Sequence, residues 1–237
     1  MPAYEDLAQR QSELIRKALA GSVFAAPAHA PLPERLTGPD AELVPLPQGY
    51  RDLGWISKDD GATWSRETEL SEITSWGAWE PTRRDIKSDV TSLQIAAQET
   101  NIRTIGMWTN TDLSGVRPDP TTGEVSFAQA TRPTTQYWRV FALAVDGAGE
   151  DSIYLARFLP RAMVSEVDDQ PWSSDDDEAL VWNMTLTATH DSGAGYSIRH
   201  FFGGPGWRKL LDKMGFESEP AGPRRESRMA ATVTTTF

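Results

Sequence analysis

From Leu180 to Ala188 every second residue is apolar (Leu180, Trp182, Met184, Leu186, Ala188), with Val181, Asn183, Thr185, Thr187 and Thr189 between and after them. Alternate side chains of an extended backbone point to opposite faces, so this period of two predicts a strand buried on one side and excludes a helix. Asp191-Ser192-Gly193-Ala194-Gly195 then supplies turn residues, and Tyr196, Ile198, His200 and Phe202 resume the alternation. The spacing predicts a broad amphipathic hairpin over residues 178–202. Its second face is Thr, Ser and Asn, so the sheet it builds sets one side on a core and offers the other to water or to a partner chain.

At 237 residues, 39% of them hydrophobic, the chain is long enough for one large β domain or two small ones. It has no cysteine and three histidines (His29, His190, His200), which excludes a disulfide framework and leaves little for zinc. Arg10, Glu13, Arg16 and Lys17 interrupt any apolar run near the start, so no signal peptide is expected there. No segment approaches the roughly 20 apolar residues of a membrane span, and a soluble protein made in a cytoplasm is expected. The net charge of −11 argues against holding nucleic acid by phosphate neutralisation. From Ala162 to Ile198 there is no Lys or Arg, whereas Glu166, Asp168, Asp169, Asp175, Asp176, Asp177, Glu178 and Asp191 are acidic.

Tyr4, Leu7, Ala8, Gln11, Leu14, Ile15, Ala18 and Leu19 recur at helical spacing, which predicts a helix over 4–19 stopped by Gly21. Six prolines follow (Pro27, Pro31, Pro33, Pro39, Pro45, Pro47) and predict an extended arm over 26–48 outside any sheet interior. Packing of the helix on its own domain and reach to a neighbouring subunit are both open. Residues 53–57 and 62–65 read as a short hairpin around Lys58-Asp59-Asp60-Gly61. The same segment carries one Asp-box, Ser57-x-Asp59-x-Gly61-x-x-Trp64. That box occurs in sialidase-like propellers, but a propeller needs four or more similar blades of roughly 40–50 residues, and no such repeat is present.

Residues 81–98 read as a long strand in which Ile86 and Val90 fall at even positions and Leu93, Ile95 and Ala97 at odd ones. The buried face therefore switches near Thr91-Ser92, as a β-bulge would make it do. A short helix over 101–108, a loop over 109–122, and strands over 125–130, 134–145 and 152–164 follow. The strand over 134–145 is apolar on both faces and reads as central. After the hairpin, Gly203-Gly204-Pro205-Gly206 breaks the sheet, residues 207–214 form a short helix, and 217–237 form a mobile tail.

No catalytic constellation emerges: there is no phosphate-binding Gly loop with Lys, no His-x-x-x-His pair and no Cys nucleophile. His190 and His200 lie near the two ends of the predicted hairpin, with His200 on its apolar face, and read as structural. Asp175-Asp176-Asp177-Glu178 lacks the spacing that wraps a loop around calcium. Neither a metal nor a cofactor is expected, and no enzyme activity. The competing classes are a carbohydrate-binding β-sandwich with Trp55, Trp64, Trp76 and Trp79 as sugar platforms, and a sialidase-like glycosidase.

In order along the chain, Leu53-Gly54-Trp55-Ile56, Ile73-Thr74-Ser75-Trp76-Gly77, the strand 84–98, the helix after it, and Phe202-Gly203-Gly204-Pro205-Gly206-Trp207 to Gly215-Phe216 resemble the major tail tube proteins of long-tailed phages of actinobacteria. The resemblance spans roughly residues 45–216 and rests on order and pattern. It implies a mainly β fold, a tail-tube sandwich or barrel with a flanking helix, to which the N-terminal helix and arm are added. The divisions are 1–48 (helix and arm), 49–216 (tube domain) and 217–237 (tail). It further implies homohexameric rings stacked into a virion tail tube that conducts DNA without specific binding. The implied partners are the tape measure protein and tail terminator or tip proteins, with no membrane. By the same resemblance Asp85, Lys87 and Asp89 are expected to line the lumen, and Leu7, Leu14 and Ile15 to contact the next ring.

Overall fold

The computed structural model describes residues 4–58, 61–172 and 179–217. Eight antiparallel strands form one sheet: β1 (Ala20–Pro27), β2 (Arg51–Asp52), β3 (Ala62–Ile73), β4 (Arg83–Ala97), β5 (Trp138–Asp146), β6 (Ile153–Val167), β7 (Trp182–Ala188) and β8 (Arg199–Gly203). The order is β2-β1-β5-β6-β7-β4-β3, with β8 also on β6. Side chains from β1, β4, β5, β6 and β7 meet in one cluster that includes Val23, Leu93, Ile95, Val140, Leu159, Met184 and Leu186. Strands well separated in the order share that core because the sheet curls upon itself, the route by which one antiparallel sheet becomes a sandwich.

Helix α2 (Ile102–Trp108) closes this core through Met107. Its start is written in the sequence. Asn101 takes the backbone N–H groups of Arg103 and Thr104, and the Thr104 hydroxyl accepts from the Asn101 N–H, a reciprocal cap. The other face of β5 and β6 carries a second cluster of Phe141, Tyr154, Ala156, Phe158 and Phe201. Both faces of β5 are thus covered, as its doubly apolar sequence predicts.

Several expectations change. The predicted helix over 4–19 is replaced by a single turn, α1 (Tyr4–Leu7), and a 3₁₀ turn over Ser12–Leu14. Its apolar stripe finds no core to dock on: Leu7 and Ile15 are 68% and 76% exposed, and helices this short gain little without tertiary packing. Residues 20–27 form β1, between β2 and β5 in the sheet. The proline-rich segment after it folds back on its own sheet, where Leu36 joins the second cluster and Leu32, Leu46 and Tyr50 pack against it. The Tyr50 hydroxyl donates to the Pro31 carbonyl (3.1 Å) and the Arg139 guanidinium donates to that of Ala30, pinning the segment.

The hairpin predicted over 178–202 closes only at its turn, through the antiparallel Asp191–Tyr196 bridge, and its two strands then part. β7 pairs with β4 and with the C-terminal half of β6, while β8 pairs with the N-terminal half of β6. The two runs share one edge of a 15-residue strand, which period-two patterning cannot distinguish from pairing with each other. In β8 the inward residue is Phe201, and His200 and Phe202 stack on the outside with ring centroids 6.5 Å apart. Residues 125–130 form no strand. The break at Gly204 is required by backbone geometry: its φ is +109° and a Cβ there would lie 2.4 Å from the Ser152 carbonyl. Pro205 then opens α3 (Pro205–Leu210).

The short hairpin around the Asp-box is also corrected. Ile56 bridges Ala97 and Ala62 pairs with Ile95, so residues 55–57 and β3 lie end to end along β4 instead of facing each other. The Gly61 N–H closes this excursion on the Ser57 carbonyl (2.8 Å). Asp59, the calcium-like run Asp175 to Glu178, and the tail beyond Glu217 lie outside the described residues.

Candidate assembly and lumen surface

Backbone register determines which side chains share a face. On the face of β3, β4, β7 and β6 turned from the main core, Thr63, Gln94, Thr185 and Glu166 stand in one row and Ser65, Ser92 and Thr187 in the next. Their hydroxyls bond to one another: Ser92 Oγ to Thr187 Oγ1 at 3.1 Å, and Ser165 Oγ to Thr187 Oγ1 at 2.7 Å. The opposite face of the same strands holds Trp64, Leu93, Ile95, Met184 and Leu186. Four strands therefore present a largely polar face on which the Ser92, Thr187 and Ser165 hydroxyls are bonded to one another, Met163 stands across from Thr187, and the flanking charges of the same face at Glu67 and Glu166 are acidic. Sequence reasoning reached Thr185 and Thr187 through their alternation but missed Ser65, Ser92, Gln94 and Ser165, which only strand pairing brings beside them.

Beyond Ser92, β4 pairs with β3 alone among the described residues. Residues 65–91 make a two-stranded ribbon standing off the sheet, with nearly every side chain exposed. Nine residues of β4, 83–91, extend about 30 Å at strand spacing. The register shifts at Lys87, between Glu69 and Leu70 on the partner, and this bulge is the face switch expected near Thr91. It lies a few residues earlier because Ile86, not Val90, returns to the face of Leu93: Leu70 and Ile86 pair on the core side while Val90 pairs with Glu67 on the other. Leu70 (51%) and Ile86 (66%) are both exposed, an apolar pair left uncovered by the described residues. At the tip, Trp76 and Trp79 are fully exposed.

The three expected lumen residues all lie on this ribbon, but not in one row. Asp85 pairs across from Ser71 on the hydroxyl side, Asp89 pairs across from Thr68 on the core side, and Lys87 occupies the bulge. Each is ion-paired: Asp85 with Arg83 (2.7 Å), Lys87 with Glu69 (2.6 Å) and Asp89 with Arg66 (2.6 Å). The Arg66 hydrogen bond holds the Asp89 carboxyl below the usual carboxylate range. Residues 66–90 carry six acidic and four basic side chains, so this ribbon is only mildly negative. Glu67 and Glu80 have no polar partner among the described residues. Leu7, Leu14 and Ile15 are not gathered on one helix face.

The four tryptophans weighed as sugar platforms are dispersed. Trp64 lies half-buried at the ribbon's base beneath the Arg157 guanidinium (4.8 Å), Trp55 is held by a backbone bond to Gln98, and Trp76 and Trp79 are at the far tip. Among the described residues no three acidic or His side chains converge as metal ligands, and no helix is long and apolar enough to cross a membrane.

A curled antiparallel sheet with a hydroxyl-lined outer face and an uncovered ribbon defines a protein built to be completed by others. The chain matches the family of phage tail tube proteins over residues 8–197, well over half its length, and belongs to that family. It is a structural component of a virion tail, assembling with further copies and with other tail proteins. No curated protein matches it. The matched span starts within the N-terminal segment, earlier than the residue-45 limit of the sequence resemblance, and stops before the Gly-Gly-Pro-Gly-Trp motif.

Proposed function

We propose that six copies close into a ring, that rings stack into the tube of a long, non-contractile tail, and that the hydroxyl face forms the wall of the channel through which DNA is ejected. The observation that carries this is the β3–β4 ribbon. A two-stranded hairpin is at best marginally stable alone in water, and this one presents unpaired backbone edges and the Leu70–Ile86 pair to solvent. A neighbouring copy that extends the sheet satisfies both. The wall then carries Ser65, Ser92, Thr185 and Thr187, fringed by Glu67, Glu69, Asp85 and Glu166. Hydroxyls already bonded to one another and carboxylates that repel phosphate give passing DNA little to hold.

Asp89 in this reading stands on the ribbon face turned away from the channel, exposed in the isolated subunit. Lys87 reaches the wall only as the partner of Glu69. The exposed Leu7 and Ile15, with Leu14, supply apolar contacts toward the next ring. The tape measure protein fills the tube before ejection, terminator and tip proteins cap it, and the host is an actinobacterium in whose cytoplasm the chain is made. Negative-stain microscopy of the purified full chain tests the core of this: hollow rods or rings are expected, and a protein that stays monomeric at high concentration overturns it.

A further inference from the structure

The proline-rich segment leaves a pocket of about 370 Å³ between itself and the sheet, bounded by Phe24, Leu43, Leu46, Phe141 and Leu143, with Arg35 among its polar lining residues. This is at the lower end of the range of pockets that bury small molecules, about 300–1,000 Å³. Leu43 is 40% exposed, and Arg35 has no polar partner among the described residues. Meanwhile Trp76 and Trp79 stand fully exposed on the ribbon, with Glu80, also unpartnered, adjoining Trp79. The pocket lies at the β2-β1-β5 end of the strand order and the ribbon at the β4-β3 end. One chain thus carries an aromatic knob with an acid beside it and, at the other end of the order, an apolar hole lined by Arg35 and by Asp52, whose carboxylate already accepts from the Gly54 N–H (3.0 Å) and leaves Arg35 as the side chain open to a partner.

We infer that the tryptophan-tipped hairpin of one copy docks in the pocket beneath the proline-rich segment of a second copy, with Glu80 of the first against Arg35 of the second. The inference rests on the tube reading and names the surface that receives the ribbon. Knob and hole are different surfaces, so the contact is heterologous. It repeats from copy to copy and propagates into rings or tubes instead of stopping at a dimer. Exposed aromatic pairs and an arginine at a pocket mouth are the residue types that anchor interfaces. The proline-rich segment then serves as the wall of a socket, and its prolines keep that wall in shape before a partner arrives.

The chain contains no cysteine, so engineered thiols report without background. The full-length Glu80→Cys/Arg35→Cys double variant, treated with a short bis-maleimide, is expected to give a ladder of covalent multimers on a denaturing gel. Either single variant is expected to remain monomeric. In parallel, Glu80→Arg or Arg35→Glu alone is expected to raise the concentration needed for assembly about tenfold, and the two together to restore it. Wild-type tubes with no ladder in the double variant, or a cross-link only within one chain, overturn the docking and leave the tube reading standing. Neither tubes nor ladder overturns both.

Discussion

Replacing residues 68–89 with Asn-Gly, so that Glu67 and Val90 flank a two-residue turn, is expected to abolish tubes and rings while leaving a folded monomer. The excised ribbon contributes nothing to either buried cluster, so the loss of subunit stability is small. Glu67 and Val90 already lie opposite each other, and Asn-Gly suits the tight turn between antiparallel strands. Assembly loses the exposed Leu70–Ile86 pair and the two tip tryptophans at once. Thermal melting by circular dichroism reads the first half of this expectation, and sedimentation with microscopy the second. Rods that persist without the ribbon would show that assembly resides elsewhere.

Phe158→Ala is expected to do the opposite and destabilise the subunit itself, ahead of any effect on assembly. Phe158 is fully buried, with Phe141 and Tyr50 at centroid distances of 6.2 and 6.3 Å. Truncating a buried Phe costs about 3–5 kcal/mol, a large share of the roughly 5–15 kcal/mol that a domain has. For a chain of this size that corresponds to a fall in Tm of roughly 6–20 °C. A melt shifted by less than about 2 °C would mean that the segment from Leu32 to Tyr50 collapses into the vacated space and is not the rigid cover described above.

What the residues disclose before folding is uneven, for physical reasons. The short helix over 101–108 was readable because Ile102, Ile105 and Trp108 recur at helical spacing, and β5 because an apolar strand on both faces has few places to go. β1 was hidden: Ala20-Gly21-Ser22-Val23-Phe24-Ala25-Ala26-Pro27 is composed mostly of small residues and lies against neighbours on both sides, so no period marks it. The helical stripe from Tyr4 to Leu19 was real as a pattern, but a pattern needs a groove to enter. The pairing of β8 with β6 lay beyond any local signal, since alternation states that a strand has two faces and not which edge it takes. The candidate wall follows the same rule. Each hydroxyl was visible at its own position, and their assembly into a field required the register of four strands.

The extra residue at Lys87 sets the direction of the ribbon. Removing it would leave every cross-strand partner from Arg66–Thr91 to Ile73–Arg83 in place while taking away the local bend and added twist that an unpaired residue imposes. The contacts of the tip and the angle at which it is delivered are thus specified separately. In a closed assembly that angle sets curvature, so Lys87 deletion is expected to yield cylinders of altered calibre, measurable as a changed outer diameter, instead of abolishing them. On the proposed tube, such a change of calibre would trace bore to a single inserted amino acid.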